Sequence, residues 1–233
     1  MTHPTIVILT GSGISAESGI DTFRGAGGLW NRNVVQDLAN PQAFARDPKK
    51  VHEFYNMRRR GLIGKEPNAA HHALARLEAE YPGDVLVVTQ NVDHLHETAG
   101  TKNLFHMHGE LRKAWCQACD LRMPWQEDLT IEIPCPSCGD FGQMRPDIVW
   151  FGEMPYHMDA ILAALDAAEV FTSIGTSGTV YPAAGFVEIA RNRGVHTVEL
   201  NLEPSDNHWD FSESHHGPAT EVVPQWVDQI LRT

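Results

Sequence analysis

Ile6-Val7-Ile8-Leu9-Thr10-Gly11-Ser12-Gly13-Ile14-Ser15-Ala16-Glu17-Ser18-Gly19-Ile20-Asp21-Thr22-Phe23-Arg24 decides the fold of this chain. A short apolar, β-branched run stops at a glycine-rich polar stretch, so a first strand ends there in a tight turn. Gly11, Gly13 and Ala16 fit the Gly-x-Gly-x-x-Gly/Ala dinucleotide fingerprint. Glycine lets backbone approach a pyrophosphate, and a small third residue lets helix and strand pack. A helix after the turn would aim its first N–H groups at the phosphates. Glycine-rich strand-to-helix turns also occur without a ligand. The polar continuation to Arg24 goes beyond what a plain turn needs.

The same strand-then-polar pattern recurs. Runs with strand character lie at Thr5 to Leu9, Val85 to Val88, Phe171 to Ile174 and Val195 to Leu200. Helical patterns separate them. Asn68 caps a helix expected over Ala69 to Glu80, and Met158 to Ala168 and Ala183 to Arg193 have helical spacing. Pro224 is expected at the first turn of a last helix with Trp226, Val227, Ile230 and Leu231 on its apolar face. Alternating strands and helices predict an α/β fold, a parallel sheet covered on both faces. Such sheets bind ligands at the carboxyl ends of their strands. Thr89-Gln90-Asn91-Val92-Asp93, Gly175-Thr176-Ser177 and Asn201-Leu202-Glu203 occupy those places. Loops are polar in general; the recurrence on one sheet edge is the signal.

The four cysteines form two knuckles, Cys116-x-x-Cys119 and Cys135-x-x-Cys138, fifteen residues apart. That spacing fits a tetrahedral structural zinc with no open position; two disulfides or four free thiols are the alternatives. Residues 25–60 and 109–150 depart from the alternating pattern. They are expected to meet as a small helical and zinc-binding lobe on a main domain of residues 1–24, 61–108 and 151–233. No apolar run reaches the length of a membrane span, and no signal peptide is apparent at Met1-Thr2-His3-Pro4, so a cytoplasmic location is expected. The formal charge of -12 disfavours nonspecific nucleic-acid binding and suits basic partners. Among thirteen histidines, His108 in His106-Met107-His108-Gly109 stands out, just before the zinc module, as a candidate general base with a pKa near neutrality.

With these motifs in order, the chain closely resembles the sirtuins, the NAD-dependent protein lysine deacylases, and is most similar to the compact bacterial CobB-type members. The resemblance rests on Gly11 to Ser15 with Phe23-Arg24, Thr89 to Asp93 with Leu95-His96, His108-Gly109, the cysteine knuckles, Arg145 to Glu153, Gly175-Thr176-Ser177, Pro182 and Asn201-Leu202-Glu203. Pro67-Asn68-x-x-His71 and Gly217-Pro218-Ala219 add to it. It implies a Rossmann-like domain, a small zinc lobe and NAD consumed in the cleft between them. The acyl-lysine oxygen would attack the ribose carbon, nicotinamide would leave, and O-acyl-ADP-ribose would be released. His108 would be the base that activates a ribose hydroxyl. Gly11, Ser12, Gly13, Ser15, Phe23, Arg24, Gln90, Asn91, Asp93, Gly175, Thr176, Ser177, Asn201, Leu202, Glu203 and Ala219 would contact NAD. Val149, Phe151, Gly152 and Glu153 would meet the substrate, an extended segment pairing with peptide backbone. Two positions depart from the family pattern: Ser12 replaces an alanine, and Asp21 stands where proline is common.

Val51, Phe54 and Tyr55 form an apolar helical stripe whose next member is Arg58. A guanidinium there is costly unless it meets an anion, or else it belongs to the solvated Arg58-Arg59-Arg60 run. Tyr55 and Arg58 match the Tyr-x-x-Arg pair of class III sirtuins, which implies binding of the carboxylate of succinyl- or malonyl-lysine. The rivals are a hydride-transferring dehydrogenase, a zinc-knuckle binding module without chemistry, and, within the resemblance, ADP-ribosyl transfer to protein. The first explains neither the cysteine module nor His108-Gly109, and the acidic balance argues against nucleic acid as the target of the second.

Overall fold

The computed structural model describes residues 5–22 and 37–232. Phe23 and Arg24 lie outside the described residues. The main sheet has six strands, all parallel: β1 (Ile6–Thr10), β2 (Val85–Thr89), β3 (Leu104–His106), β7 (Val170–Ile174), β8 (His196–Asn201) and β9 (Glu213–His216). Their spatial order is β3-β2-β1-β7-β8-β9. This is the doubly wound dinucleotide-binding order, with the chain reversing direction across the sheet between β1 and β7. β1 and β2 are buried along their whole length, which explains their unbroken apolar runs.

Helices cover both faces. On one, α3 (Ala69–Glu80) and α7 (Ala219–Ile230) enclose Ile6, Ile8, Val85 and Val87 with Leu74, Leu77, Val223 and Trp226. On the other, α5 (Met158–Ala167) and α6 (Phe186–Asn192) meet Val7, Leu9, Leu86 and Phe171 through Ile161, Leu165, Phe186 and Val187. The short α4 (Leu95–Ala99) follows β2. The Asn68 cap is closed reciprocally, since Ala70 N–H donates to Asn68 Oδ1 at 2.9 Å and Asn68 N–H to His71 Nδ1 at 3.3 Å.

A second, three-stranded antiparallel sheet is built from β4 (Gly109–Cys116), β5 (Arg122–Pro124) and β6 (Met144–Ile148) in the order β5-β4-β6. Two helices pack beside it, α1 (Pro41–Arg46) and α2 (Pro48–Arg60), each opened by a capping Asn40 or Asp47 and a proline at its first turn. Phe44, Val51, Phe54 and Tyr55 share a core with Leu111, Ile148 and Trp150.

The helix expected after β1 is present as a 3-10 helix over Ser12–Ser18, which Gly19 at φ +76° ends. Two expectations need correction. The last helix starts at Ala219, so Pro224 lies inside it. Pro218, with φ -55°, accepts from Glu221 and Val222 N–H and starts the helix five residues earlier than expected. Ala183 to Arg193 divides into a 3-10 turn at Ala183–Gly185 and then α6. Among the described residues no helix is long and apolar enough to cross a membrane.

Candidate active site

The site lies where the sheet order reverses. Gly11 and Gly13 leave β1 directly against Gly175, which leaves β7. A Cβ on Gly13 would lie 2.6 Å from Gly175 Cα, and one on Gly11 would lie 2.7 Å from Gly175 O. Gly175 itself has φ +64°, and a Cβ there would run into the Ile14 nitrogen. Gly13 N–H donates to Gly175 O and Gly11 N–H to Ile174 O, both at 2.9 Å. The glycines thus serve the mutual approach of two loops, and these two N–H groups are not aimed at a phosphate as the fingerprint alone suggested.

A cleft of about 1320 Å³ opens above this contact. It is larger than a drug-sized pocket and has room for a dinucleotide together with a side chain. Gly11, Ser12, Gly13, Gln90, Asn91, Asp93 and His108 line it, as do Gly175, Thr176, Ser177, Asn201, Leu202, Glu203 and Ala219. So do Tyr55, Arg58, Val149, Phe151, Gly152 and Glu153. Ser15 is buried just behind the wall. Its hydroxyl donates to Asp93 Oδ2 at 3.0 Å and accepts from Asn91 Nδ2 at 3.2 Å. Asn91 Nδ2 also reaches Gly11 O at 3.1 Å, and Leu95 N–H donates to Asp93 Oδ1 at 3.1 Å. Burial pushes the Asp93 carboxyl up, opposed by Leu95 N–H and the Ser15 hydroxyl. Ser15 therefore ties the β1 loop to the β2 loop.

His108 follows β3 on the cleft wall. Its Nδ1 lies 3.1 Å from the Gln90 carbonyl oxygen. A carbonyl only accepts, so Nδ1 carries the proton and Nε2 keeps its lone pair. The ring is half-exposed to the cleft but enclosed by its walls, and this desolvation pushes its pKa down to about 4. This lies below the value near neutrality that was expected: the ring stays neutral at physiological pH, with the Nε2 lone pair free to accept a proton, but it is a weaker base than a free imidazole.

Tyr55 is buried, and its hydroxyl is pushed up to about 12 by burial. The Arg58 guanidinium lies 5.7 Å from the Tyr55 ring centre and 5.8 Å from that of Phe54. Burial pushes Arg58 down to about 10, while Tyr55 and Asp93 favour its charge. Of the three consecutive arginines Arg60 is exposed, where it meets Asp128 at 2.6 Å, and Arg58 is partly exposed to the cleft. Arg59 is buried and donates to Leu111 O at 2.7 Å and Asn56 Oδ1 at 2.9 Å.

The segment after β6 is not the extended strand that was expected. The strand ends at Ile148; Val149 and Trp150 belong to no strand, and Phe151 and Gly152 turn, with Gly152 at φ +90°. Val149 N–H donates to His108 O and Phe151 N–H to Ala39 O, each at 2.9 Å. Trp150 N–H donates to Glu153 Oε2 at 2.8 Å. These three donors are committed within the chain, so they are not open to a peptide backbone. Glu153 is committed too, through Arg145 Nη1 at 2.7 Å and Nη2 at 3.0 Å. Phe151 lines the cleft and is left 43% exposed. On the opposite side, Asn201 Nδ2 donates to Thr176 O at 2.8 Å and joins the β7 and β8 loops. Lys65, Tyr181 and Pro182 also line the cleft, and no periodicity or spacing pointed to Lys65 or Tyr181.

The four cysteines are free thiols whose sulfurs all lie within 4.8 Å of one another. Cys116 Sγ is 3.8 Å from Cys138 Sγ, and Cys119 Sγ is 3.6 Å from Cys135 Sγ. Tetrahedral zinc with Zn–S bonds of about 2.3 Å requires sulfurs about 3.8 Å apart. Disulfides require about 2.05 Å. The cysteines are positioned to bind one zinc ion. Backbone N–H groups of Cys138 and Ser137 point at the Cys135 sulfur and favour its thiolate, the form a metal needs.

Comparison with known proteins agrees with this geometry. The Sir2 family model matches residues 11–182. The NAD-dependent protein deacylase of Salmonella typhimurium is 53% identical over 234 aligned positions, covering 100% of this chain and 86% of that protein. The NAD-dependent protein deacylase SIR2rp3 of Leishmania major is 54% identical over 97% of this chain and 96% of its own. A solved Sir2 homologue in complex with NAD superimposes with a TM-score of 0.88 at 40% identity, over 98% of this chain and 90% of that one. A glycine-lined switch point, a cleft-facing histidine and a four-cysteine module at this similarity leave one conclusion: the chain belongs to the Sir2 family.

Proposed function

We propose that this protein is an NAD-dependent protein lysine deacylase that removes carboxylated acyl groups, succinyl and malonyl, as well as acetyl, and works in the cytoplasm. The relatives named above support the general activity. The observation that carries the finer reading is the Tyr55–Arg58 pair, a partly buried guanidinium beside a buried tyrosine on the wall of the same cleft as His108. A cation held out of bulk water favours an anionic partner. A hydrolytic or hydride-transfer site acting on neutral groups has no need of one.

NAD, when bound, supplies an electrophilic ribose carbon with nicotinamide as leaving group. The chain does the rest. His108 Nε2 takes a proton from a ribose hydroxyl, with Gln90 O fixing the tautomer. Asn91 and Asp93 present polar groups at the cleft base, and Ser15 locks their orientation. Ser177, Asn201 and Ala219, which line the cleft, would hold the phosphate and adenosine portion. Phe151 and the Gly152 turn guide the acyl-lysine chain. Zinc acts structurally. The substrates are acylated lysines on other proteins. Nucleic acid is not a partner, consistent with a net charge of -12, and neither is a membrane.

Acetyl-, succinyl- and malonyl-lysine peptides incubated with NAD and followed by mass spectrometry test this reading. Free nicotinamide and an acyl-ADP-ribose product are expected from all three. Reduced nicotinamide, or ADP-ribose retained on protein, would overturn it.

A further inference from the structure

The pairing of the small sheet builds an uninterrupted column of guanidinium and aromatic groups. Trp115 on β4 is the cross-strand partner of Arg122 on β5 and of Arg145 on β6. Residues directly opposite on one sheet face come into contact. The Arg122 guanidinium accordingly lies 4.4 Å, and that of Arg145 4.8 Å, from the Trp115 ring centre. Each cation has its own carboxylate, Asp147 for Arg122 and Glu153 for Arg145, so the two arginines flank the ring without an unpaired charge.

The column continues towards the cleft. Arg145 is fully buried and lies 3.2 Å from the Trp150 ring centre. Its Nη2 donates to Ile148 O at 2.7 Å, while its Nε has no hydrogen-bond partner among the described residues. The Glu153 and Ile148 hydrogen bonds hold its edge and the two indoles its faces, and a planar guanidinium is suited to both where an ammonium is not. Trp150 stacks in turn on Tyr55, with ring centres 6.3 Å apart at 29°. Tyr55 neighbours Arg58. Trp115 immediately precedes Cys116, and Arg122 follows Cys119 by three residues. One end of the column thus sits at the cysteine knuckles and the other in the cleft.

We propose that Trp115 and Arg145 are positioning residues for acyl-group selectivity: they set the place of Tyr55, and through it Arg58, by way of Trp150, although Trp115 does not line the cleft. This rests on the assignment of Tyr55 and Arg58 to the acyl carboxylate. The backbone register of a zinc-bearing sheet then determines how well a distant guanidinium meets its anion. Close-packed rings transmit a shift at one end because they have no free volume to absorb it.

A double-mutant cycle on the zinc-loaded protein tests the proposal, read as the ratio of kcat/KM for succinyl- over acetyl-lysine peptide. Trp115→Leu is expected to lower that ratio about fivefold in the native background and to leave it unchanged in an Arg58→Met background, since coupled residues are non-additive. Trp115→Phe, which keeps an aromatic face, is expected to restore it. KM for NAD and zinc content stay at their native values. If Trp115→Leu fails to fold, Arg145→Lys keeps the charge opposite Glu153, loses the stacked plane, and is read by the same cycle. Equal loss for both peptides, or the same fall in ratio in both backgrounds, overturns the proposal. A ratio that falls in Arg58→Met but not in Trp115→Leu overturns it while the acyl assignment stands. A ratio unmoved by Arg58→Met overturns both.

Discussion

His108 Nδ1 sits 3.1 Å from the Gln90 carbonyl oxygen, and that one contact sets the direction in which the imidazole can work. Protonation of Nε2 is opposed by the enclosed wall, so the ring in the free protein titrates near 4 and not near 6.5. The pH profile of kcat/KM reports the free enzyme. It is expected to show no acid limb from this histidine between pH 5.5 and 8. NMR titration of the ligand-free protein checks the same point, and a His108 midpoint near 6.5 would falsify it. His108→Ala is expected to abolish deacylation with NAD affinity nearly intact, because a base acts in the chemical step.

Arg58→Met is expected to depress kcat/KM for succinyl-lysine peptides about ten- to a hundredfold, the equivalent of roughly 1.5–3 kcal/mol for a hydrogen bond to a charged group. Acetyl-lysine peptides, which present no anion, lose far less. Tyr55→Phe acts in the same direction but more weakly, since one neutral donor is lost. Parallel kinetics with the two peptides decide it; an equal fall in both would make Arg58 a structural member of its helix.

Removing zinc with a chelator, or changing Cys116 to Ser, is expected to lower Tm and loosen the β4–β5–β6 sheet. Its own core is little more than Ala114, Leu129 and Met144 beside two of the cysteines. Hydrogen exchange across residues 109–148 reports the loosening. Metal-free protein with an unchanged Tm and unchanged exchange would contradict a structural metal.

Acid is expected to destabilise the fold through its buried histidines. His52 and His71 are each held down at about 4 by burial, and His96 well below 6.5. The unfolded chain binds more protons at these sites than the folded one, so stability falls as pH drops through the window from about 6.5 to about 4. His106 opposes the trend: the Glu97 carboxylate 2.8 Å away raises its pKa, and its contribution is lost as pH rises. Urea midpoints at pH 7, 5.5 and 4.5 measure the balance, and a midpoint that climbs on acidification would refute it.

The parallel sheet was legible because buried strands such as Val85–Thr89 are continuous apolar runs, and the cysteine module because metal ligands obey fixed spacing. β9, Glu-Ser-His-His, was not legible: an edge strand pairs through its backbone and its side chains carry no pattern. Nor was the second buried face of α2. His52, Asn56 and Arg59 lie off the Val51–Phe54–Tyr55 stripe, yet all three are buried, and Asn56 exchanges two hydrogen bonds with the Leu129 backbone. Periodicity finds a face buried against apolar groups; it misses one buried by hydrogen bonds. The candidate site followed from motif residues at strand ends. The commitments of Glu153 to Arg145 and of Gly13 to Gly175 did not, because both depend on residues brought together only by the fold.

The contact of Gly11 and Gly13 with Gly175 makes the bottom of the cleft an arrangement of main chain against main chain. Side chains elsewhere can change rotamer to admit a ligand; here there are none to change. The two halves of the sheet are therefore pinned at a fixed separation, and the cleft gains or loses width only through its walls, the α2 side bearing Arg58 and the turn bearing Phe151. On the proposed reading, adaptation to acyl groups of different length would fall to those walls and not to the glycine floor.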